Sequence, residues 1–412
     1  MVKETIYEEH KATEIYIQQS EIKSIKKTHT QQTGLRIYYS GLIGVAGAIG
    51  PHDEIELEKK AMSMLQNKIP YLPDPTEEQQ IYLIYNYDVA HGTDFIADME
   101  SLIQSLRQEF SDFSFNNLIQ LKDQIYKIQN NAGLFLYYQD HFLDLKLSFN
   151  HTNSKDETDG LLICFGRRYD YNIFLKYCRE KLLSFKKKIN FPKQDTLPFI
   201  FPSNNRFIFS QIIHDLNGVN VVKGTSRWSN SMEQIKLHPD FTFMQSHHSE
   251  NLLCPFFDSE GTAHMENDYR FPLIERGKVI NAYTDKKTAM EYNMPHTGSA
   301  VSNHDEIPHL GFLNFEVQAG TKTTKELLEG KHGILVESIS DGNFSSTGDF
   351  TCIVNKSYLT DGETLLGSLP SLMLKSSSDV MFGSDFIGVS KDPIYPLAQE
   401  HAILMNFGFS RV

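Results

Sequence analysis

The sequence predicts an α+β protein of two domains, a sheet-plus-helices domain over residues 1–196 and a β-rich, sandwich- or barrel-like domain over residues 197–412. Three observations predict it. A chain of 412 residues is longer than one growing hydrophobic core accommodates, so two cores are expected. The first half mixes period-two alternation with runs at helical spacing, whereas the second is built of short β-rich runs punctuated by Gly, Asn, Asp and Ser. Between them lies INFPKQDTLPFIFPSNNR, residues 189–206, whose prolines and weak periodicity read as an extended connection, with the boundary near residue 197.

Residues 12–50 alternate apolar and polar positions (Ile15, Ile17, then Ile22, Ile25) and run through Gly34-Leu35-Arg36 into a glycine-rich segment from Gly41 to Gly50, the pattern of antiparallel hairpins. Asp53–Lys68 has helical spacing with Glu54, Glu56 and Glu58 near its start, where acidic side chains complement the helix dipole. Phe95–Phe110 repeats the pattern with Ile96, Met99, Ile103 and Leu106, and the two helices are expected to cover one sheet face. Segments 132–150 and 160–168 return to strand character. Tyr171–Phe185 is an amphipathic helix, and Lys186, Lys187 and Lys188 follow it at the end where the dipole favours cations. In the second half a helix is expected at about 208–220, and strands at Gly277–Tyr283 and Gly333–Glu337, spaced as in a sandwich or barrel.

At 40% hydrophobic and 22% charged residues the chain has an ordinary globular composition. A net charge of −13 leaves no basic footprint for duplex nucleic acid or an anionic membrane surface. Cys164, Cys178, Cys254 and Cys352 are far apart and show no CxxC spacing, so no disulfide framework or zinc ribbon is implied. The first residues, MVKETIYEEHKATEIYI, lack an apolar targeting core, and no run of eighteen apolar residues occurs, which predicts a cytoplasmic protein.

For chemistry, no GxSxG elbow or cysteine-nucleophile motif stands out. Ser345–Asp349 looks like a phosphate-cradling turn but lacks the P-loop lysine and helix. It reads as a tight turn at Gly348 with Asp349 bonding nearby amides. His247 and His248 are adjacent, so on a strand they would face opposite sides, and the polar stretch around them reads as surface. His304, Asp305, Glu306 and His309 form a candidate metal cluster, set in a proline-bearing loop.

One collinear set of motifs goes further. Asp258-Ser259-Glu260-Gly261 forms a DxEG turn followed by Leu273–Val279. Then come Tyr283, Asp285, the turn Thr297-Gly298-Ser299-Ala300, Pro308, Asn314 and Gly320. Gly330–Val336, Thr347-Gly348-Asp349-Phe350 and Asp361-Gly362-Glu363 close the series. This order resembles the TldD/PmbA family of two-subunit peptidases. The resemblance implies that one subunit carries zinc on an HExxxH helix, where the metal lowers the pKa of bound water and the glutamate acts as general base. Histidines five apart need a local widening of the helix, which a glycine before the second one permits. Here the matching stretch is His214-Asp215-Leu216-Asn217-Gly218-Val219: the second histidine is Val219, and Asp215 is a methylene shorter than the expected base. Lys223-Gly224-Thr225-Ser226 matches an RGTS-like turn and fixes this register. A third ligand is expected from a cysteine in a GxCGKxGQ-like segment, and the matching residues 379–388 contain none.

The resemblance therefore implies the zinc-free, TldE/PmbA-type subunit, with no cofactor of its own and zinc only in a TldD-like partner. It would form a cavity wall and bind unfolded peptide by strand-type pairing, with Gly224, Thr225, Ser226, Asn343 and Ser345 as substrate-binding positions. Precursors of modified peptides are among the substrates so implied. Two alternatives stay open: a stand-alone homodimeric peptide-binding or scaffold protein, and a diverged metallohydrolase using His214 with ligands such as His238 or His264.

Overall fold

The computed structural model describes residues 1–411 except 88, 90–94, 231, 235, 236 and 313. The N-terminal half contains the strands β1 (Val2–Gln18), β2 (Glu21–Tyr39), β3 (Leu42–Ile49), β4 (Gln80–Ile84), β5 (Phe113–Asn130), β6 (Phe135–His151) and β7 (Gly160–Gly166), and the helices α1 (Glu54–Met64), α2 (Phe95–Glu109) and α3 (Tyr171–Lys186). The strands make one sheet in the order β3-β2-β1-β5-β6-β4, with β7 also on β6. Two-residue turns set the first hairpins: Gln19-Ser20 and Ser40-Gly41 all have positive φ, as a turn matched to strand twist requires.

The two faces of this sheet have different jobs. On one face Ile15 sits beside Ile119, and Ile119 beside Leu145, and these pack under α2 and α3 through Met99, Leu102, Leu106, Phe174 and Leu182. Leu35 and Ile37 on the same face pack under α1 through Leu57 and Ala61. So the expected helical cover is present, with α3 added to it. The opposite face, carrying Glu4, Ile6, Arg36, Ile128 and Leu136, meets the C-terminal half through Phe256 and Phe257.

That half runs β8 (Thr196–Pro202), α4 (Arg206–Asp215), α5 (Gly218–Lys223), β9 (Phe243–Ser246), β10 (Arg270–Glu275), β11 (Lys278–Val279), α6 (Lys286–Tyr292), β12 (Ala300–Val301), β13 (His309–Leu310), β14 (Phe315–Val317) and α7 (Thr324–Leu328). It continues with β15 (Gly333–Phe344), β16 (Asp349–Thr360), β17 (Leu365–Leu369), β18 (Leu372–Ser377), α8 (Ser378–Met381), β19 (Phe386–Pro393) and β20 (His401–Arg411). Strands β15, β8, β20, β18 and β16 pair in a ring that returns to β15, a closed five-stranded barrel. Of the sandwich and barrel anticipated for this half, the barrel is the one found. A smaller sheet, β11-β10-β9-β14, lies beside it. Phe209 of α4 joins the two: its ring packs on Phe241, Phe243, Phe315 and Phe382.

Two segments differ from the sequence reading. Residues 189–206 are not all connection, since Thr196–Pro202 is β8, a barrel strand buried from Leu197 to Phe201. The helix expected at 208–220 is two helices that break at Leu216 and Asn217.

Three buried cations pin the halves together. Arg36 donates to Glu4 (3.3 Å), the Ser259 carbonyl (2.5 Å) and Ser302 Oγ (2.6 Å). Arg167 forks onto Asp140, stacks on Tyr85 and donates to the carbonyls of Ser249 and Glu250. Lys181 of α3 is 2% exposed and pairs with Glu337 of β15 at 2.7 Å. Gly34 and Gly47 complete the fit: a Cβ at either would overlap the His304 segment lying across them, which is why only glycine serves there.

Candidate functional site

The first candidate grows from α4. Asn205 caps its N-terminus by accepting from the amides of Phe207 and Ile208, and the buried face of Ile208, Phe209 and Ile212 locks it into the core. The helix ends at Asp215. Asn217 then caps α5 with Oδ1, accepting from Val219 N and Asn220 N, and its amide donates to the Tyr283 hydroxyl. Gly218 donates to the Tyr283 carbonyl, and Tyr283 N to the Leu216 carbonyl, so the break is tied to the neighbouring segment.

This geometry parts the motif residues. The His214 side chain is 52% exposed, whereas Asp215 is fully buried. The Asp215 carboxylate accepts from Gln211 Nε2 (3.0 Å), Arg227 N (3.1 Å) and Arg227 Nε (2.8 Å), and its backbone carbonyl accepts from Ser226 Oγ (2.7 Å). It is a structural acceptor here, committed to Gln211 and Arg227, with Oδ1 3.5 Å from His214 Nδ1. Val219 follows in the next helix.

Arg227 gathers the other motif segments. Its Nη1 reaches Asp379 at 3.2 Å in α8, the segment matched to the missing cysteine, and the Thr347 carbonyl at 3.5 Å in the TGDF turn, while Nη2 is buried without a partner. Sequence reasoning passed over this residue. Its only signal was its place directly after the Thr225-Ser226 pair.

The five positions expected to bind substrate lie on or beside two turns flanking Arg227. Gly224 ends α5 with φ +74° in open space, and Thr225 and Ser226 both donate their amides to the Asn220 carbonyl. Ser226 is buried with its hydroxyl turned inward, whereas Thr225 is exposed. Asn343 and Ser345 are exposed at the end of β15 and just beyond it. In the TGDF turn Gly348 has φ +89°, as expected of a tight turn. Asp349 differs from expectation: it accepts from the hydroxyls of Ser345 and Thr347, and it is Ser345 Oγ that takes the amides of Thr347 and Asp349.

The second candidate lies between the halves. A cleft of about 440 Å³ is lined by Ile6, Tyr126, Ile128 and Phe257, with Arg36 and Asp258 on its wall. The DxEG turn edges it. Asp258 Oδ1 accepts from the amides of Glu260 and Thr262, and Oδ2 from Ala300 N. Glu260 accepts from the Tyr71 hydroxyl across the boundary and from Lys286 N (2.9 Å), and burial next to Asp258 pushes its carboxyl up to about 8. The turn is a latch between the halves.

The histidines fall out differently from expectation in one case. His247 is buried, facing the Gly298 and Pro255 carbonyls at 3.1 and 3.3 Å, and burial lowers its pKa, so the neutral ring donates to only one of them at a time. His304 and Asp305 lie against Gly47. Among the described residues, the one group of His, Cys, Asp and Glu with ligand atoms all within 4.8 Å is Asp258, Glu260 and His296. His214, His238, His264 and the His304–His309 cluster are not brought into such a group.

Residues 200–397 match the family model of the PmbA/TldA metallopeptidase C-terminal domain. The fold is similar to the crystal structure of TldE from Thermococcus kodakarensis, with a TM-score of 0.77 at 17% identity over 99% of this chain and 96% of that one. It is equally similar to a proposed modulator of a DNA gyrase from Thermotoga maritima, with a TM-score of 0.77 at 15% identity over 99% and 96%. A proposed modulator of DNA gyrase from Bacteroides thetaiotaomicron gives 0.74 at 14% identity over 100% and 95%. At these identities the likeness shows a shared fold. Comparison with curated proteins by sequence finds no match.

Proposed function

The chain belongs to the TldD/PmbA family, and from that premise we propose that it is the non-catalytic subunit of a two-chain metallopeptidase, holding unfolded peptide for a zinc-bearing TldD-like partner. What supports this reading is the state of the motif helix. Among the described residues the half-exposed His214 joins no group of three ligand atoms, Asp215 is committed to Arg227, and the helix breaks before Val219. A zinc hydrolase needs three protein ligands and a base within hydrogen-bond reach of the bound water. One histidine on a helix end meets neither need.

On this reading Thr225, Asn343 and Ser345, exposed on the two turns that Arg227 ties together, would border the bound segment. Gly224 and Ser226 would shape that turn from behind. No helix among the described residues is long and apolar enough to cross a membrane.

The test is a peptidase assay on an unfolded polypeptide, using the isolated chain, a zinc-bearing relative from the same source, and the mixture, with zinc counted in wild type and His214→Ala. Cleavage confined to samples containing the relative is expected, with His214→Ala leaving the metal content unchanged. Cleavage by the isolated chain together with zinc that disappears in His214→Ala would overturn the proposal.

A further inference from the structure

The DxEG latch places two carboxylates in the interior without the cations that buried charge ordinarily requires. Asp258 and Glu260 are 2% and 3% exposed. Among the described residues, neither carboxylate has a lysine or arginine within 4 Å, and Lys286 Nζ turns instead to Thr76, the Asp74 carbonyl and the Glu260 carbonyl. The nearest basic atom is His296 Nε2, 3.8 Å from Glu260 Oε2. Buried charges are paired, coordinate metals or are neutralised by a proton.

A second observation points the same way. Nε2 of His296 and Nε2 of His264 are both shielded from solvent and have no hydrogen-bond partner, and the two rings lie 6.2 Å apart. The carboxylates, by contrast, are oriented by fixed donors that leave lone pairs over. Asp258 Oδ2 takes one amide, Glu260 Oε1 one phenol and Glu260 Oε2 one amide, so each oxygen keeps one acceptor site. Outer hydrogen bonds of this kind hold metal ligands in place.

We propose that Asp258, Glu260 and His296 form a divalent-cation site of the zinc or manganese class in the C-terminal half, beside its contact with Tyr71. With bonds of about 2.1 Å, ligand atoms of a tetrahedral ion stand about 3.4 Å apart, so closing this group needs a shift of about 1 Å, within the range of a side-chain rotation. Glu260 also accepts from Tyr71, so the ion would stand beside a contact between the two halves. The site is distinct from the motif helix, and the zinc-free reading of His214 does not depend on it.

The full-length chain, stripped with chelator, is dialysed against zinc or manganese, its bound metal counted and its unfolding temperature recorded. About one ion per chain is expected, with a raised unfolding temperature. His296→Ala and Glu260→Gln should each lower affinity at least about tenfold and abolish the thermal shift, while His214→Ala leaves both intact. Glu260→Gln is isosteric and carries the test should His296→Ala fail to fold. A wild-type chain that retains no ion, or one whose bound ion is indifferent to both substitutions, overturns the proposal.

Discussion

Asp215 shows how one residue type can keep its place in a motif while changing its work. In a zinc hydrolase the acid beside the first histidine faces the bound water. Here it is fully buried and takes three donors, two of them from Arg227. Removing one member of such a pair strands the other, so Asp215→Ala should lower stability by about 3 kcal/mol, read as a drop in the urea midpoint. A glutamate is not a remedy, because Asp215→Glu adds a methylene at a fully buried site whose three donors are fixed, and it should also destabilise without conferring peptidase activity. Glu9 carries a pH signature. Burial would raise its pKa, but hydrogen bonds from Lys11, Tyr7 and His29 outweigh that and hold it at about 2, against 4.5 for the free side chain. Between those values the unfolded chain binds the extra proton. The stability Glu9 contributes is therefore complete above about pH 4.5 and is lost as the pH falls toward 2. Urea midpoints measured from about pH 5 to 2.5 should fall less steeply in Glu9→Gln than in wild type.

Among the elements, the α4–α5 break separates what could be read in the sequence from what could not. Asn217 and Gly218 sat inside a stretch with helical spacing, and the family resemblance encouraged a single helix through them. The signal lay in Asn217 itself, a good cap whose side chain takes the amides of Val219 and Asn220. Asn217→Ala should cost about 1 kcal/mol and loosen α5, visible as faster amide exchange at Val219 to Val222. Helices α1, α2 and α3 were legible because each buries one face throughout. Strand β5 was not: its buried positions are Phe113, Phe115 and Ile119 under the helices, then Gln124 and Ile128 toward the other half, so the alternation changes sides along its length. Strand β8 hid behind Pro198 and Pro202, although Leu197–Phe201 is a continuous buried run of the kind barrels use. The peptidase-family motifs were legible in order, but not the role of Arg227, because the segments it joins are over 100 residues apart.

For the whole molecule, the pairing of one sheet face with the C-terminal half makes the boundary part of the core. Arg36, Arg167 and Lys181 each cross it while buried. One calorimetric transition is therefore expected for the wild type. Lys181→Ala, which strands Glu337, should cost about 3–5 kcal/mol and separate the transition into two.

The hairpin of β1 and β2 has a further consequence at its far end. Strand β3 pairs with β2 only over Gln32–Tyr39, so among the described residues Glu21–Thr30 leaves one row of backbone donors and acceptors bare. A bare row of that kind is a template on which another copy could add its own strand, and then another, without closing. Lys23, Lys26 and Lys27, all exposed, stand along it. Cations on an open edge repel their own kind and discourage such stacking. Exchanging Lys26 and Lys27 for Val should therefore leave the monomer's unfolding temperature nearly unchanged yet turn a clear solution turbid on storage, with thioflavin fluorescence rising in step.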